Sequence, residues 1–297
     1  MRLLVNSTRI QGRGRGGYPS SPNILITIFA LALHLSRASV VLASFSFCTR
    51  PATSRSPRLK TAAAMMSSTT ANAISRNVVG KLTPATTAFF LCDIQERFRP
   101  LMHNSQTVIS TAQYLTSIAN TLDIPIVATE QYSKVFGPTV SDCFVNGQEG
   151  LNTLIQKGHV FEKKKFSMLT DDVLELLNTM NTNSNSSGDA GASSNNGIQS
   201  VVLFGIESHV CVQQTCLDLI EMGKDVHVIV DCVSSQQPLD RDISLQRMAN
   251  AGAFLTTSQS LAYMLVNSAD HPNFKAISKL TVEHMKLPNE FNDSYKK

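Results

Sequence analysis

Three side chains of this 297-residue chain have the types needed for acyl transfer: a carboxylate, an amine and a thiol. They are Asp93, Lys163 and Cys211, and each one follows an apolar run that is typical of a buried parallel strand. A thiolate is a nucleophile, a lysine ammonium stabilises a thiolate and a developing oxyanion, and a carboxylate can move the proton. The set predicts covalent catalysis in which Cys211 is the nucleophile, Asp93 the general base and acid, and Lys163 the electrostatic stabiliser.

The surroundings of Cys211 carry most of this hypothesis. The run Val201–Ile206 predicts a strand, and a helical pattern follows it from about His209 to Met222. Cys211 would lie in the first turn of that helix, where unpaired N–H groups and the helix dipole favour the thiolate. The apolar stripe of the helix contains Val212, Cys216, Leu219 and Ile220. Cys211 falls outside this stripe, which predicts an exposed thiol and leaves Cys216 as the structural cysteine.

Each of the three residues also has a simpler interpretation. Asp93 could cap the turn after its strand, and the run Lys163–Lys165 could be a solvated surface segment. A cysteine beside a strand commonly packs in the core. The hypothesis of a catalytic site therefore depends on the three residues taken together.

The hydrophobic pattern alternates between strands and helices, which predicts an α/β fold with a mainly parallel, six-stranded, Rossmann-like sheet in a three-layer α/β/α arrangement. Strands are predicted at Thr87–Cys92, Ile124–Thr129, His159–Glu162, Val201–Ile206, Val226–Val230 and Ala253–Thr256. Helices are predicted at Val108–Leu122, Asp171–Met180, His209–Met222, Asp240–Ala251, Ser258–Val266 and Phe274–Leu280, with Ser258 as a cap. Because ligands bind at the carboxyl ends of parallel strands, the three reactive groups are expected to meet at one edge of this sheet.

The charge of the chain is unevenly distributed. Residues 1–92 carry eleven Lys and Arg and no acidic residue, whereas the rest carries 15 of the 26 basic and all 22 acidic residues, a net charge of −7. A mildly acidic folded part argues against a nucleic-acid surface. Six cysteines without a C-x-x-C pair favour free thiols in a reducing compartment.

The first 80 residues are predicted to be a disordered leader that precedes one domain at 81–285 and a tail at 286–297. Its twelve-residue apolar run, Ile24–Leu35, suits a signal sequence better than a membrane span, so the mature domain is not expected to be membrane-embedded. An acid-free, Ser- and Arg-rich stretch follows, which favours targeting to a plastid, with a mitochondrial presequence as the next choice. Translation from Met65 or Met66 would instead leave the protein in the cytoplasm. Residues 181–199 are almost entirely small or polar and predict a disordered insertion.

The chain resembles the isochorismatase-like cysteine hydrolase superfamily over about residues 85–282. The motifs that carry the resemblance are Phe90-Leu91-Cys92-Asp93-Ile94-Gln95-Glu96-Arg97-Phe98-Arg99, Glu130-Gln131-Tyr132, Gly137-Pro138-Thr139, Lys163 with Phe166-Ser167-Met168, Gly205-Ile206-Glu207 with Cys211, Val226-His227-Val228, Gly252-Ala253-Phe254-Leu255-Thr256-Thr257-Ser258, and His271-Pro272-Asn273-Phe274-Lys275. The resemblance implies an Asp–Lys–Cys triad at Asp93, Lys163 and Cys211, in which the lysine is the one four residues before Ser167.

The same resemblance implies a mechanism. A non-proline cis peptide, here His209–Val210, would aim the backbone amides of Val210 and Cys211 as an oxyanion hole. The reaction would hydrolyse an amide-type C–N bond of a small molecule through a thioester, without a metal or cofactor, in a homo-oligomer. Gln131, Tyr132 and Phe136 are predicted to line the substrate pocket, with core packing as the alternative.

Two departures from the superfamily narrow the substrate. Nicotinamidases carry an Asp-x-His metal motif where this chain has Glu130-Gln131-Tyr132-Ser133, which disfavours nicotinamide. True isochorismatases lack the cysteine nucleophile, so Cys211 disfavours vinyl ether cleavage. Two alternatives to a hydrolase stay open: a binding or regulatory protein that keeps the fold with little turnover, and redox sensing through Cys211.

Overall fold

Six apolar segments rich in β-branched and aromatic residues pair into one sheet in the computed structural model, which describes residues 79–183 and 197–295. The strands are β1 (Thr87–Cys92), β2 (Ile126–Gln131), β3 (Val160–Lys163), β4 (Ser200–Ile206), β5 (Asp225–Ser234) and β6 (Phe254–Thr256). Their order is β3-β2-β1-β4-β5-β6, and all neighbouring strands are parallel. The predicted α/β class with a six-stranded Rossmann-like sheet is confirmed.

Helices connect the strands and cover both faces of the sheet, as parallel connections require. They are α1 (Ser105–Thr121), α2 (Ser133–Phe136), α3 (Gln148–Gln156), α4 (Asp171–Asn183), α5 (Gln213–Glu221), α6 (Pro238–Asn250), α7 (Ser258–Val266) and α8 (Phe274–His284). Short 3₁₀ turns span Pro84–Thr86, Ser141–Cys143 and Glu290–Tyr295, and a π-helical turn spans Ser208–Val212. No helix in the two described ranges is both long and apolar enough to cross a bilayer.

The central strands β1 and β4 are buried along their whole length. Alternate residues of β1 face opposite layers, as strand geometry dictates. Phe90 and Cys92 pack in a core cluster with side chains of α4, α5 and α6. Phe89 packs edge-to-face against Phe204 at 6.2 Å between ring centroids. The layer with Cys92 is the one that contains Cys211.

The prediction of a disordered insertion at residues 181–199 is wrong at both ends. Helix α4 continues to Asn183. Residues 197–199 lead directly into β4, and the Gln199 N–H donates to the carbonyl of Thr86 at 2.8 Å. Residues 184–196, and residues 1–78 of the leader predicted at 1–80, lie outside the described residues.

The predicted start of α7 is correct, but the predicted cap is wrong. The cap is Thr257, whose side chain accepts from the Ser260 N–H. Ser258 donates its N–H and its hydroxyl to the Asp231 carboxylate at 2.8 Å and 2.6 Å. The Asp231 carboxylate, from β5, therefore accepts the Ser258 N–H at the start of the helix. Ser258 is a donor here and not the capping acceptor that the sequence predicted.

A buried histidine on β5 makes stability depend on pH. His227 is stacked on Phe254, neither of its ring nitrogens has a partner, and burial lowers its pKa to about 4. In the unfolded state the histidine has a pKa near 6.5, so between about pH 6.5 and pH 4 it is protonated in the unfolded state but neutral in the folded state. The free energy of unfolding is therefore highest above about pH 6.5 and decreases as the pH falls towards 4.

We expect His227→Leu to remove this dependence. The difference in the free energy of unfolding between the variant and the wild type should grow by about 3 kcal/mol from neutral pH to about pH 4. Urea unfolding of both proteins at several pH values measures it, and other titrating groups cancel in the difference. A difference that stays constant with pH would contradict the expectation.

Candidate active site

Asp93 and Lys163 form a buried ion pair at the carboxyl edge of the sheet. Lys163 Nζ lies 2.6 Å from Asp93 Oδ2, and the two side chains are 0% and 2% exposed. Asp93 directly follows β1, whereas Lys163 is the last residue of β3. Because β2 lies between these strands, the long lysine side chain reaches across one strand to the acid.

Strand β2 supplies the other side-chain partners of this pair. Thr129 donates its hydroxyl to Asp93 Oδ1 at 2.8 Å, and Lys163 Nζ donates to Gln131 Oε1 at 2.7 Å. Lys163 Nζ also donates to the carbonyl of Phe166 at 2.9 Å. The pair is therefore held by hydrogen bonds on both sides, as a buried charged group requires.

The neighbours of Lys163 keep its side chain protonated. Burial alone lowers the pKa of Lys163, but the negative charge of Asp93 and its hydrogen bond to Nζ act in the opposite direction, and the pKa lies above its usual value. Lys164 and Lys165, by contrast, are exposed. The interpretation of the lysine run as a solvated segment therefore holds for only two of its three members.

Cys211 lies in the π-helical turn before α5 and faces the ion pair. It packs in the same core cluster as Cys92, the residue before Asp93, and it lies close enough to Lys163 to influence the pKa of the ammonium. Thr215 donates its hydroxyl to the Cys211 carbonyl at 2.7 Å and accepts the Met168 N–H at 2.9 Å, which fixes the turn. The three predicted residues are thus brought together at one edge of the sheet.

The prediction of an exposed Cys211 is wrong. Its exposed fraction is 3%, and it packs in the same core cluster as Cys216. A π-helical turn contains extra residues per turn, so it shifts the angular phase of the residues before α5. The 3.6-residue projection that placed Cys211 outside the apolar stripe does not apply to this segment.

The chain reverses sharply just after three neighbouring strands. Asp93, Tyr132 and Glu207 have left-handed backbone conformations with φ of 52°, 37° and 53°, immediately after β1, β2 and β4. Such conformations are uncommon outside glycine and cost about 1–3 kcal/mol each. They occur here at the edge where the candidate site lies.

The predicted cis bond between His209 and Val210 is wrong, since the described residues contain no cis peptide bond. The left-handed Glu207 and the π-helical turn redirect the chain here. The Val210 N–H donates to the Glu207 carbonyl at 2.9 Å, so it is engaged within the turn. An oxyanion hole at Val210 and Cys211 stays a prediction, and it requires this bond to give way when a substrate binds.

The predicted substrate-binding residues have different surroundings. Gln131 belongs to the site, but its carbonyl oxygen accepts from Lys163 and its amide donates to the Lys164 carbonyl at 3.1 Å. Tyr132 is partly buried beneath Lys164, whose Nζ lies 5.6 Å from the ring centroid. Phe136 is buried and stacked on Phe98 at 4.5 Å. Core packing is thus a sufficient role for Phe136.

Three supporting residues were not predicted from the sequence. Thr129 donates to Asp93, Cys92 packs in the same core cluster as Cys211, and Gln95 exchanges hydrogen bonds with the Gln131 backbone at 2.8 Å and 3.1 Å. A signal for Thr129 existed, because Thr129 and Gln131 are two residues apart and so share one face of a strand. No such pattern singles out Cys92 or Gln95.

The segment Glu130–Ser133, which stands where nicotinamidases have their metal motif, makes hydrogen bonds within the protein. Glu130 Oε1 accepts from the backbone N–H and the hydroxyl of Thr139 at 2.7 Å and 2.8 Å. Within residues 79–183 and 197–295, no three His, Cys, Asp or Glu side chains are grouped so as to hold a metal ion.

Close contact between β1 and β4 requires glycine at position 205. Gly205 pairs with Cys92 and has φ of +146°, and a Cβ built there would lie 2.1 Å from the Cys92 carbonyl oxygen. We therefore expect Gly205→Ala to lower the free energy of unfolding by about 3 kcal/mol through strain and overpacking.

Gly158→Ala is the matched control, because Gly158 has φ of +71° but nothing within 4 Å of its Cβ position. The alanine at position 158 would be strained by its backbone conformation but would meet no neighbouring atom, so the free energy of unfolding should fall by about 1 kcal/mol. Urea unfolding measures the free energy of unfolding of both variants. Equal decreases would contradict the argument from close packing.

The chain is similar in sequence and in fold to known proteins. A model of the isochorismatase domain matches residues 87–260. The secreted isochorismatase effector Isc1 of Phytophthora sojae is 40% identical over 214 residues, 72% of this chain and 93% of that protein. Isochorismatase domain-containing protein 2 of zebrafish is 39% identical over 202 residues, covering 68% and 90%. A solved structure described as MAR1 ribonuclease from Caenorhabditis elegans is 36% identical, with a TM-score of 0.56 and coverage of 68% and 92%. The resemblance seen in the motifs is confirmed: the chain belongs to the isochorismatase family.

Proposed function

We propose that this protein is a cysteine hydrolase that cleaves an amide-type C–N bond of a small molecule through a thioester on Cys211. The observation that carries the proposal is the buried Asp93–Lys163 ion pair, with Nζ and Oδ2 2.6 Å apart, facing the sulfur of Cys211. A desolvated acid, ammonium and thiol converging at the carboxyl edge of a parallel sheet are a favourable arrangement for acyl transfer.

The roles follow from the contacts. Asp93 takes the proton of the Cys211 thiol, and the resulting thiolate attacks the carbonyl carbon of the substrate. The tetrahedral intermediate collapses, its C–N bond breaks, and Asp93 returns the proton to the leaving amine. A water molecule then attacks the thioester and gives a proton to Asp93. The C–S bond breaks, the acid product leaves, and Asp93 returns the proton to the Cys211 sulfur.

Lys163 acts throughout as a fixed positive charge. Its ammonium is held by Asp93, by Gln131 and by the carbonyl of Phe166, and its raised pKa keeps it charged at neutral pH. A preorganised charge of this kind stabilises both the thiolate and the negative charge that develops on the substrate oxygen.

Burial of the site supports a small substrate. Cys211 is 3% exposed, and its partners Asp93 and Lys163 are 1% and 3% exposed. A folded polymer cannot bring its backbone to such a thiol, whereas a small amide can be enclosed. The acidic charge of residues 93–297 also disfavours an extended nucleic-acid surface.

A hydrolysis assay with a panel of small amides tests the proposal. The full chain is incubated with aliphatic and aromatic primary amides, with nicotinamide and with isochorismate, and release of ammonia or of the free acid is followed. Turnover of an amide that is lost in Cys211→Ala would support the proposal. Turnover of isochorismate alone, unaffected by Cys211→Ala, would contradict it.

RNA cleavage is the second candidate, because the C. elegans protein that is 36% identical is described as a ribonuclease. A phosphodiester is a different electrophile, and a cysteine nucleophile is not required to cleave it. A fluorogenic RNA added to the same panel separates the candidates. Cleavage of RNA at an undiminished rate by purified Cys211→Ala, without amide turnover by the wild type, would favour the second candidate.

A further inference from the structure

Side chains at the start of the turn that contains Cys211 attach it to α6 and to the loop before α6. Glu207, the residue before the turn, accepts the side-chain N–H of Gln236 at 2.9 Å. Ser208, the first residue of the turn, is hydrogen-bonded through its hydroxyl to that of Ser244 in α6. The steps of hydrolysis given above use none of these side chains.

Glu207 combines a buried carboxylate with a strained backbone. The residue is 5% exposed, and its φ of 53° and ψ of 58° are left-handed. A carboxylate that is removed from water requires polar partners. Gln236 donates to Oε1, and His209 Nδ1 lies 3.4 Å from Oε2. Such a backbone persists only where its surroundings fix it, and these contacts supply that constraint.

His209 continues this set of contacts towards the surface. Its Nδ1 also lies 3.0 Å from the hydroxyl oxygen of Ser235, and its Nε2 lies 3.8 Å from Asp240 Oδ2. The His209 side chain is 35% exposed. The buried carboxylate of Glu207 is therefore connected through an imidazole to the first turn of α6.

The backbone of Glu207 holds the turn from within. Its carbonyl accepts the N–H of Val210 at 2.9 Å and that of Val212 at 3.4 Å. These are the residues on either side of Cys211. Because Gln236 fixes the Glu207 side chain from outside the turn, it also constrains the direction of this carbonyl.

We propose that Glu207 is a positioning residue for the nucleophile Cys211. Held between Gln236 and His209, its carboxylate fixes the turn from which the sulfur reacts. The inference rests on the proposed function only in taking Cys211 as the nucleophile. A small misplacement of a reacting atom can slow a reaction about 100-fold. A group that acts by placing the nucleophile should change kcat and leave KM nearly unchanged.

Hydrogen exchange of backbone amides tests the inference without a substrate. The full chain is transferred to deuterated water, and the N–H groups of Val210 and Val212 are followed by NMR. Glu207→Ala removes the carboxylate but keeps a non-glycine residue at the left-handed position, so both amides should exchange at least about tenfold faster than in the wild type. Gln236→Leu removes the partner outside the turn and should act in the same direction, so the test stands if Glu207→Ala does not fold.

Asp231→Ala is the matched control for the exchange experiment. The Asp231 carboxylate likewise accepts hydrogen bonds at the start of a helix, but that helix is α7. The free energy of unfolding should fall in this variant too, whereas Val210 and Val212 should exchange as in the wild type. Unchanged exchange in Glu207→Ala, or an equal increase in Asp231→Ala, would overturn the inference.

Kinetics of amide hydrolysis test the consequence for catalysis. Glu207→Ala should lower kcat by about 10- to 100-fold and leave KM within about twofold of the wild type. Glu207→Gln keeps an acceptor for Gln236 and should recover most of the lost rate. Asp231→Ala should keep kcat within about twofold of the wild type. An unchanged kcat in Glu207→Ala would overturn the inference. A wild type that hydrolyses no amide would count against the proposed function, and the exchange rates would still decide whether Glu207 holds the turn.

Discussion

Replacing Cys211 by alanine should lower amide hydrolysis by about 10⁴-fold or more while the protein stays folded. The variant lacks the atom that forms the covalent bond, so only binding and the electrostatics of the ion pair remain. The sulfur is buried in the core cluster, so the variant should also lose roughly 1 kcal/mol of stability. Hydrolysis rates at saturating substrate and urea unfolding measure the two effects separately.

Cys216→Ala is the matched control for this change. It removes the same sulfur atom from the same cluster, five residues further along the chain. The free energy of unfolding should fall by a similar amount, but the hydrolysis rate should stay within about threefold of the wild type, because Cys216 is not the proposed nucleophile. Equal loss of activity in both variants would show that packing and not nucleophilicity explains the effect.

Breaking the Asp93–Lys163 pair should be the most destabilising change in the site. Lys163→Met leaves a buried carboxylate without its cation, and Asp93→Asn leaves a buried ammonium without its anion. Each should lower the free energy of unfolding by about 3–5 kcal/mol. Asparagine also tolerates the left-handed backbone of Asp93, so the cost reports on charge and not on the backbone.

The double variant Asp93→Asn/Lys163→Met distinguishes charge from packing. It removes both charges together and should recover most of the lost stability but none of the activity. Arg99→Met is the exposed comparison, because the Arg99–Asp142 pair is 2.9 Å long with side chains 36% and 54% exposed. It should cost less than about 1 kcal/mol. Additive losses in the double variant, measured by urea unfolding, would contradict a coupled pair.

The sheet could be predicted from sequence because its central strands are apolar throughout. The bounds of β1 agreed at Thr87–Cys92, and Asp93 and Lys163 were correctly placed at strand ends. The short helices α2 and α3 were not predicted, and the predicted β5 was shorter than the observed Asp225–Ser234. The register between β4 and β5 shifts between Leu203 and Gly205. The alternation of side chains along a strand does not predict such a shift.

The candidate site was predictable in its composition but not in its environment. Residue types and strand ends were enough to select Asp93, Lys163 and Cys211. The burial of Cys211 was not, because it depends on a π-helical turn that breaks the helical phase. Gln131 was assigned to the substrate because its contact with Lys163 depends on how β2 and β3 pair, which sequence alone does not give.

A covalent acyl adduct on Cys211 is the most direct test of the central proposal, that a buried acid, ammonium and thiol form one nucleophilic site. The full chain is mixed with an amide that it hydrolyses and quenched in acid during turnover. Intact mass and peptide mapping then locate any added acyl group. The expected result is the mass of the acyl group on the Cys211 peptide in the wild type, and its absence in Cys211→Ala. Turnover of the amide with unmodified Cys211, or with the adduct on another residue, would contradict the proposal.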